Sequence, residues 1–227
     1  MLHTYVKKIL KARVYDVAVE TPVDEMPTLS ERFGNRILLK REDLQPVFSF
    51  KLRGAYNKIS QLSEEQLKCG VITASAGNHA QGVALTGKKL GIQATIVMPR
   101  TTPPIKVNSV KARGGKVVLH GDTYDEASAH SKKLAKEKGM TYGHPLDEPD
   151  VSAGQGTVGM EILRQVNGPL DVVFVPVGGG GLLAGIAAYV RYVRPEVKII
   201  GVESEESACM KWALEKNRRI TLPDVGI

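Results

Sequence analysis

Val71-Ile72-Thr73-Ala74-Ser75-Ala76-Gly77-Asn78-His79-Ala80-Gln81-Gly82 is the stretch that decides the fold. Its first four residues form a short apolar and β-branched run, the mark of a strand buried on both faces, since a strand with one wet face alternates instead. A glycine-bearing turn follows, and apolar residues then recur at helical spacing over His79–Leu90. Strand, turn and helix in that order open a βαβ unit. The pattern repeats downstream: strand Ala94–Met98, helix Ile105–Arg113, strand Lys116–Leu119, and helix Tyr124–Lys138 ended by Gly139. The chain reads as an α/β protein built on parallel sheets.

Upstream, Tyr5–Lys11 reads as a helix, the chain around Thr21-Pro22 as irregular, and Ile37-Leu38-Leu39 as a short strand. Ser49-Phe50-Lys51-Leu52-Arg53-Gly54-Ala55 comes next, after an extended approach. Leu52, Ala55, Tyr56, Ile59 and Leu62 share one face of a helix, which places Lys51 at its mouth. A lysine partly desolvated there loses its proton more easily and can attack an aldehyde to form a Schiff base. A lone lysine at a helix end is ordinarily a solvated surface group, so the weight of Lys51 rests on its company.

Beyond Glu148-Pro149-Asp150, read as a boundary, the spacing predicts a helix starting after Gly154-Gln155-Gly156, with Val158, Ile162, Leu163 and Val166 as its apolar stripe. Strand Val172–Val177, the glycine turn Gly178–Gly181, helix Leu182–Val193, strand Lys198–Glu203 and a helix over Glu206–Lys216 follow. Residues 52–147 are expected to be a small domain of their own, set between pieces 1–51 and 148–227 of a larger one. Two strands in that second block are too few for a complete doubly wound sheet.

Composition narrows the function classes. At 227 residues, 42% hydrophobic and 24% charged, the chain can bury a real core. No apolar run approaches the ~20 residues of a membrane span, and the N-terminus has no signal-peptide core. Cys69 and Cys209 lie far apart without ligand spacing, which suits a reducing cytoplasm, and no metal site is expected. His120, His130 and His144 read as structural. The net charge of +7 is spread among acidic residues and aromatics are only 5%, so solvated helix faces explain it better than nucleic-acid binding does.

Two glycine-bearing turns carry chemistry. Four consecutive glycines between a strand and a helix let backbone N–H groups and the helix N-terminus cradle an anion, with phosphate the natural guest. A rival reading exists, because Gly179-Gly180-Gly181-Leu182-Leu183-Ala184 satisfies G-x-G-x-x-A and Glu203 ends the next strand, as in an NAD-binding fingerprint. A tight turn with no ligand is the third. The Ser75–Gly82 turn presents amides at another helix start, suited to a substrate carboxylate.

Ser49-Phe50-Lys51, the Ser75–Gly82 loop and the Gly178–Gly181 turn, in this order and spacing, resemble the threonine dehydratase (threonine ammonia-lyase) family. These are pyridoxal-phosphate enzymes of fold-type II, the tryptophan synthase β-like group. The resemblance implies two parallel-sheet, three-layer domains. Lys40-Arg41-Glu42-Asp43-Leu44-Gln45-Pro46-Val47 is similar to the biosynthetic branch, which opens isoleucine biosynthesis. By that resemblance Lys51 would bind the pyridoxal phosphate and act as base at the substrate Cα. Phe50 would pack by the ring and Asn78 would bond its 3-hydroxyl. Gly178, Gly179, Gly180, Gly181 and Leu182 would cradle the phosphate, and Ser75, Ala76, Gly77 and His79 would surround the carboxylate of an amino-acid substrate. Threonine would yield 2-oxobutanoate and ammonia, with serine a weaker substrate. Serine racemases share the fold but tend to carry Asn where Leu146 follows His144-Pro145.

The family's catalytic domain continues well beyond the length of this chain, including the Ser or Cys that meets the pyridine nitrogen. The expectation is therefore a large domain incomplete at its C-terminus, a fragment of doubtful activity, and a homo-oligomer in full-length form.

Overall fold

The computed structural model describes residues 2–143 and 148–220. Three sheets form among them. A short antiparallel ribbon pairs β1 (Val23–Glu25) with β2 (Leu38–Lys40), an element the sequence reading lacked on its β1 side. A four-stranded sheet of β3 (Val71–Ala74), β4 (Ala94–Met98), β5 (Lys116–Leu119) and β6 (Thr141–Tyr142) runs in the order β5-β4-β3-β6, all parallel. The third sheet is β7 (Val172–Pro176) beside β8 (Lys198–Val202), again parallel.

Helices cover the four-stranded sheet on both faces, as parallel connections require. On one side α5 (Asn78–Leu90) and α6 (Pro104–Ala112) pack Ala80, Val83, Ala84, Val107 and Val110 onto Val71, Ile96 and Met98. On the other, α7 (Tyr124–Lys138) sets Ala127 against Ile72 and Val97. The second core gathers β7, α8 (Pro149–Gln165) and α9 (Gly181–Val193) around Val158, Ile162, Val175, Ile186 and Val190. The remaining helices are α1 (Leu2–Leu10), α2 (Pro27–Phe33), α3 (Lys51–Ile59), α4 (Glu64–Cys69) and α10 (Cys209–Glu215).

One start was misread. Helix α8 begins at Pro149, so Gly154, Gln155 and Gly156 lie inside the helix. Their smallness serves close packing. A Cβ on Gly154 would sit 2.6 Å from the Arg53 carbonyl oxygen and 2.7 Å from Gly54 Cα on α3. One on Gly185 of α9 would sit 2.6 Å from Gly156 N. Three helices thus meet backbone to backbone, α8 between α3 and α9. The helices α2 and α4 and the strand β6 were also unread, although Ser63 and Gln66 form a full capping box at the start of α4.

The β7–β8 ribbon buries Val173 and Val175 but leaves Phe174, Ile200 and Val202 exposed on its other face. No described helix is long and apolar enough to cross a membrane. The readings that fall on His144, Pro145, Leu146 and on 224–227 lie outside the described residues.

Because the glycine contacts are made by backbone atoms that cannot step aside, Gly185→Ala is expected to cost about 1–3 kcal/mol. Chemical denaturation would show the midpoint fall; an unchanged midpoint would mean that α9 has room to move off α8.

Candidate active site

Lys51 is the first residue of α3, reached through the 3₁₀ turn Glu42–Leu44 and a further turn closed by the Phe48 N–H on Gln45 O, not through the extended segment expected. Along that approach Gln45, Val47 and Ser49 point inward while Pro46 and Phe48 point out. Leu52, fully buried, locks the first turn of α3 against Val14, Ala18 and Val47. Lys51 itself is partly buried, its Nζ 5.5 Å from the Phe50 ring centroid, and burial lowers its pKa below the usual 10.5. The amine is thus more easily neutral than a surface lysine, as a nucleophile or base must be.

The other two turns meet this one. Helix α5 packs its Gly82 against the start of α3, where an added Cβ would lie 3.1 Å from Leu52 Cα and 3.3 Å from the Lys51 carbonyl carbon. That contact lies one helical turn beyond Asn78 and His79. On the other flank, Phe50 packs against the same apolar cluster as Leu182 and Leu183 of α9. Both flanking helices begin bare. Gly77 caps α5 and Gly180, at φ +83°, caps α9, neither with a side-chain hydrogen bond. Helices α4 and α7 contrast with them, each closed by a capping box, Ser63 with Gln66 and Thr123 with Glu126. Uncapped N–H groups at a helix start bind anions. A Cβ on Gly77 or Gly178 would meet nothing within 4 Å, so both glycines face open space. Asn78 is exposed beside that space, Ser75 and Ala76 are half-buried, and His79 is turned into the core. The Ser75 hydroxyl accepts from the Gly77 N–H at 3.3 Å, which holds the loop's turn.

The dinucleotide alternative loses its acidic residue. Glu203 accepts the Met210 and Lys211 N–H groups, one on each carboxylate oxygen at 2.9 Å, and so caps α10. A cleft of about 1030 Å³ does lie there, lined by Leu183, Glu203, Met210 and Trp212 and not by Lys51. Among the described residues no group of three or more His, Cys, Asp or Glu side chains is placed to hold a metal. His120 and His130 stack on each other at 3.7 Å.

Behind Lys51 lies a cluster the sequence reading missed. Arg53 and Glu161, both 0% exposed, form a buried ion pair. Arg53 also grips Glu42 through two hydrogen bonds of 2.8 Å, and Lys40 Nζ reaches Glu161 at 2.6 Å. Tyr15 donates to Glu161 at 2.8 Å; burial, reinforced by that carboxylate, pushes its phenol up to about 12. Burial alone would raise Glu161, but the hydrogen bonds from Arg53, Lys40 and Tyr15 outweigh it and hold its carboxyl below 4.5. The available signal was an acid, Glu161, lodged between stripe residues Val158 and Ile162.

Comparison with known proteins gives the site its setting. The family model for pyridoxal-phosphate dependent enzyme matches residues 14–225. The biosynthetic L-threonine dehydratase of Burkholderia multivorans is 55% identical over 99% of this chain and 45% of its own length. The chloroplastic biosynthetic threonine dehydratase of Arabidopsis thaliana is 60% identical over 98% of this chain and 38% of its own. Among solved structures, the processed form of threonine deaminase isoform 2 from Solanum lycopersicum superposes with a TM-score of 0.97 at 52% identity, over 99% of this chain and 65% of that one. Maize serine racemase follows at 0.93 and 34%, over 97% of this chain and 68% of that one. The chain spans less than half the length of these curated relatives.

Removing the buried acid tests the cluster. Glu161→Leu takes the ion-pair partner from buried Lys40 and leaves Arg53 with Glu42 alone, and it is expected to cost about 3–5 kcal/mol. A carboxylate with a depressed folded-state pKa stabilises fully above its unfolded value, and that contribution is lost as pH falls through the folded value. Urea unfolding of the parent chain is therefore expected to weaken below pH 4.5. The variant should lack that share of the acid loss, and equal stability at neutral pH would refute the role.

Proposed function

The chain belongs to the pyridoxal-phosphate-dependent enzyme family, and we propose that it serves the dehydrative deamination of L-threonine to 2-oxobutanoate and ammonia, the opening step of isoleucine biosynthesis. The observation that carries this reading is the meeting of Lys51, its pKa lowered by burial, with two helix starts left bare by glycine. The donor set fits the cofactor: a reactive amine, an aromatic ring beside it in Phe50, and a glycine cradle open enough for a phosphate. Identity of 55–60% to biosynthetic threonine dehydratases supports the substrate.

In this reading Gly178, Gly179, Gly180, Gly181 and Leu182 hold the phosphate with backbone N–H groups at the start of α9. Asn78 would bond the ring hydroxyl and Phe50 would pack by the ring. Ser75, Ala76, Gly77 and His79, the last through its backbone N–H because its ring is turned into the core, would take the substrate carboxylate at the start of α5. The carboxylate held there would orient the amino acid toward Lys51. Lys51 Nζ, neutral more readily because it is desolvated, would accept the Cα proton, and the ammonium so formed could give a proton to the departing β-hydroxyl. Bound pyridoxal phosphate would supply the electron sink for negative charge at Cα. L-serine would be a weaker substrate by the same route.

We read residues 52–147 as the small domain, a division supported by the four-stranded sheet, whose strands all fall inside it. The free cysteines Cys69 and Cys209 suit the cytoplasm, and self-association is part of the proposal. Serine racemisation is the second reading, favoured by the likeness to maize serine racemase but at lower identity.

Pyridoxal phosphate followed by borohydride is expected to label Lys51 selectively. A lysine with a lowered pKa is neutral in the window between that value and 10.5, where surface lysines stay protonated, so selectivity should peak there and fade as pH approaches 10.5. Lys51→Ala is expected to abolish the label and to cut ketoacid release from threonine by at least about 10²-fold. Label spread evenly over surface lysines would refute the site, and alanine-insensitive turnover would refute the role of Lys51.

A further inference from the structure

The four-glycine turn Gly178–Gly181 has few restraints of its own. No side chain caps α9, and Gly178 faces open space. Glycine loses more backbone freedom on ordering than any other residue. A turn made of four of them keeps one shape for a guest only if its surroundings hold it.

That hold comes from the start of α10. The Met210 methyl lies where a Gly180 side chain would be, 2.5 Å from an added Cβ, and the Cys209 thiol lies 3.9 Å from Gly178 O. Both residues open a helix whose own cap position, Ala208, makes no side-chain hydrogen bond. Glu203, just past the end of β8, supplies the cap instead. Its two carboxylate oxygens accept the Met210 and Lys211 N–H groups at 2.9 Å each, and the Cys209 thiol lies 3.7 Å from one of them. Strand β8 is in turn fastened to the chain entering the turn, where the Val177 N–H donates to Val202 O at 2.8 Å. The corner is a closed ring of β7, glycine turn, α10, Glu203 and β8.

We propose that Glu203 is a positioning residue for the phosphate cradle, presetting the Gly178–Gly181 turn through Cys209 and Met210 of α10. This rests on the reading of that turn as the phosphate site. Charge and position predict opposite signs for one substitution. A carboxylate separated from the turn by one thiol repels a phosphate, so Glu203→Gln would tighten binding if charge alone mattered. If the carboxylate positions the turn, the same change leaves one of the two N–H groups without its acceptor, loosens α10 and weakens binding.

The experiment compares pyridoxal phosphate with pyridoxal, which has the same ring and aldehyde but no phosphate, on the full chain, Glu203→Gln and Met210→Ala. Visible absorbance reads the affinities, and borohydride labelling reads attachment at Lys51. The parent is expected to prefer pyridoxal phosphate. Glu203→Gln is expected to weaken pyridoxal phosphate about 10-fold and leave pyridoxal unchanged, so the preference shrinks by that factor. Met210→Ala, which keeps the carboxylate but removes the methyl against Gly180, should shrink the preference in the same direction. Tighter binding of pyridoxal phosphate by Glu203→Gln, or an unchanged preference in both variants, would overturn the proposal while leaving the cradle in place. An equal loss for both aldehydes would overturn it too, because a merely structural role weakens the whole site without regard to the phosphate. If the parent itself shows no preference, the phosphate-site reading fails and the role of Glu203 falls with it.

Discussion

Arg53 and Glu161 join pieces of chain that are otherwise distant in sequence. The guanidinium ties α3 to α8 through Glu161 and to the turn at Glu42, and Lys40 and Tyr15 bring in the β1–β2 ribbon and the N-terminal segment. Two cations and two carboxylates balance to zero, which is the condition under which buried charges are tolerated at all. Such a network contributes little net stability compared with an apolar filling of the same space. What it supplies is geometry: a guanidinium forked between two carboxylates has one satisfactory arrangement, and that arrangement fixes the first turn of α3. The position of Lys51 follows from it.

Glycine does the complementary part. At Gly54, Gly154, Gly156 and Gly185 the absence of a side chain lets three helices touch through their backbones, which leaves α8 wedged between α3 and α9. At Gly77 and Gly180 the same residue does the opposite, leaving helix ends uncovered. Rigid helix contacts hold the frame, and bare helix starts offer the amides. The amine then lies between two uncapped helix starts whose separation is set by helix packing.

The strands β3 and β4 were legible because buried parallel strands are short and apolar without alternation, and β5, β7, β8 and most helices because apolar runs and helical spacing alternate along the chain. The places of Lys51 at the start of α3 and of the glycines before α5 and α9 were legible too. What escaped has a common cause: a residue's type does not reveal its neighbours. Gly154 and Gly156 look like a turn but serve a helix crossing, so α8 was started too late. Arg53 and Glu161 sit where helical spacing allows either a solvated charge or a buried pair, and only the fold brings them together across 108 positions. Glu203 ends a strand at the place a ribose-binding acid would occupy, yet both its oxygens are spent on α10.

The uncovered face of the β7–β8 ribbon bears on how the protein behaves in bulk. Phe174, Ile200 and Val202 present a flat apolar strip beside strand edges that no other described strand pairs. Surfaces of that kind attract each other in proportion to concentration and to any salt that strengthens apolar association. Colloidal stability is thus separable from folding stability here. Sulfate at levels harmless to the fold would salt the chain out, and a charged residue on that strip would raise solubility without touching the amine site.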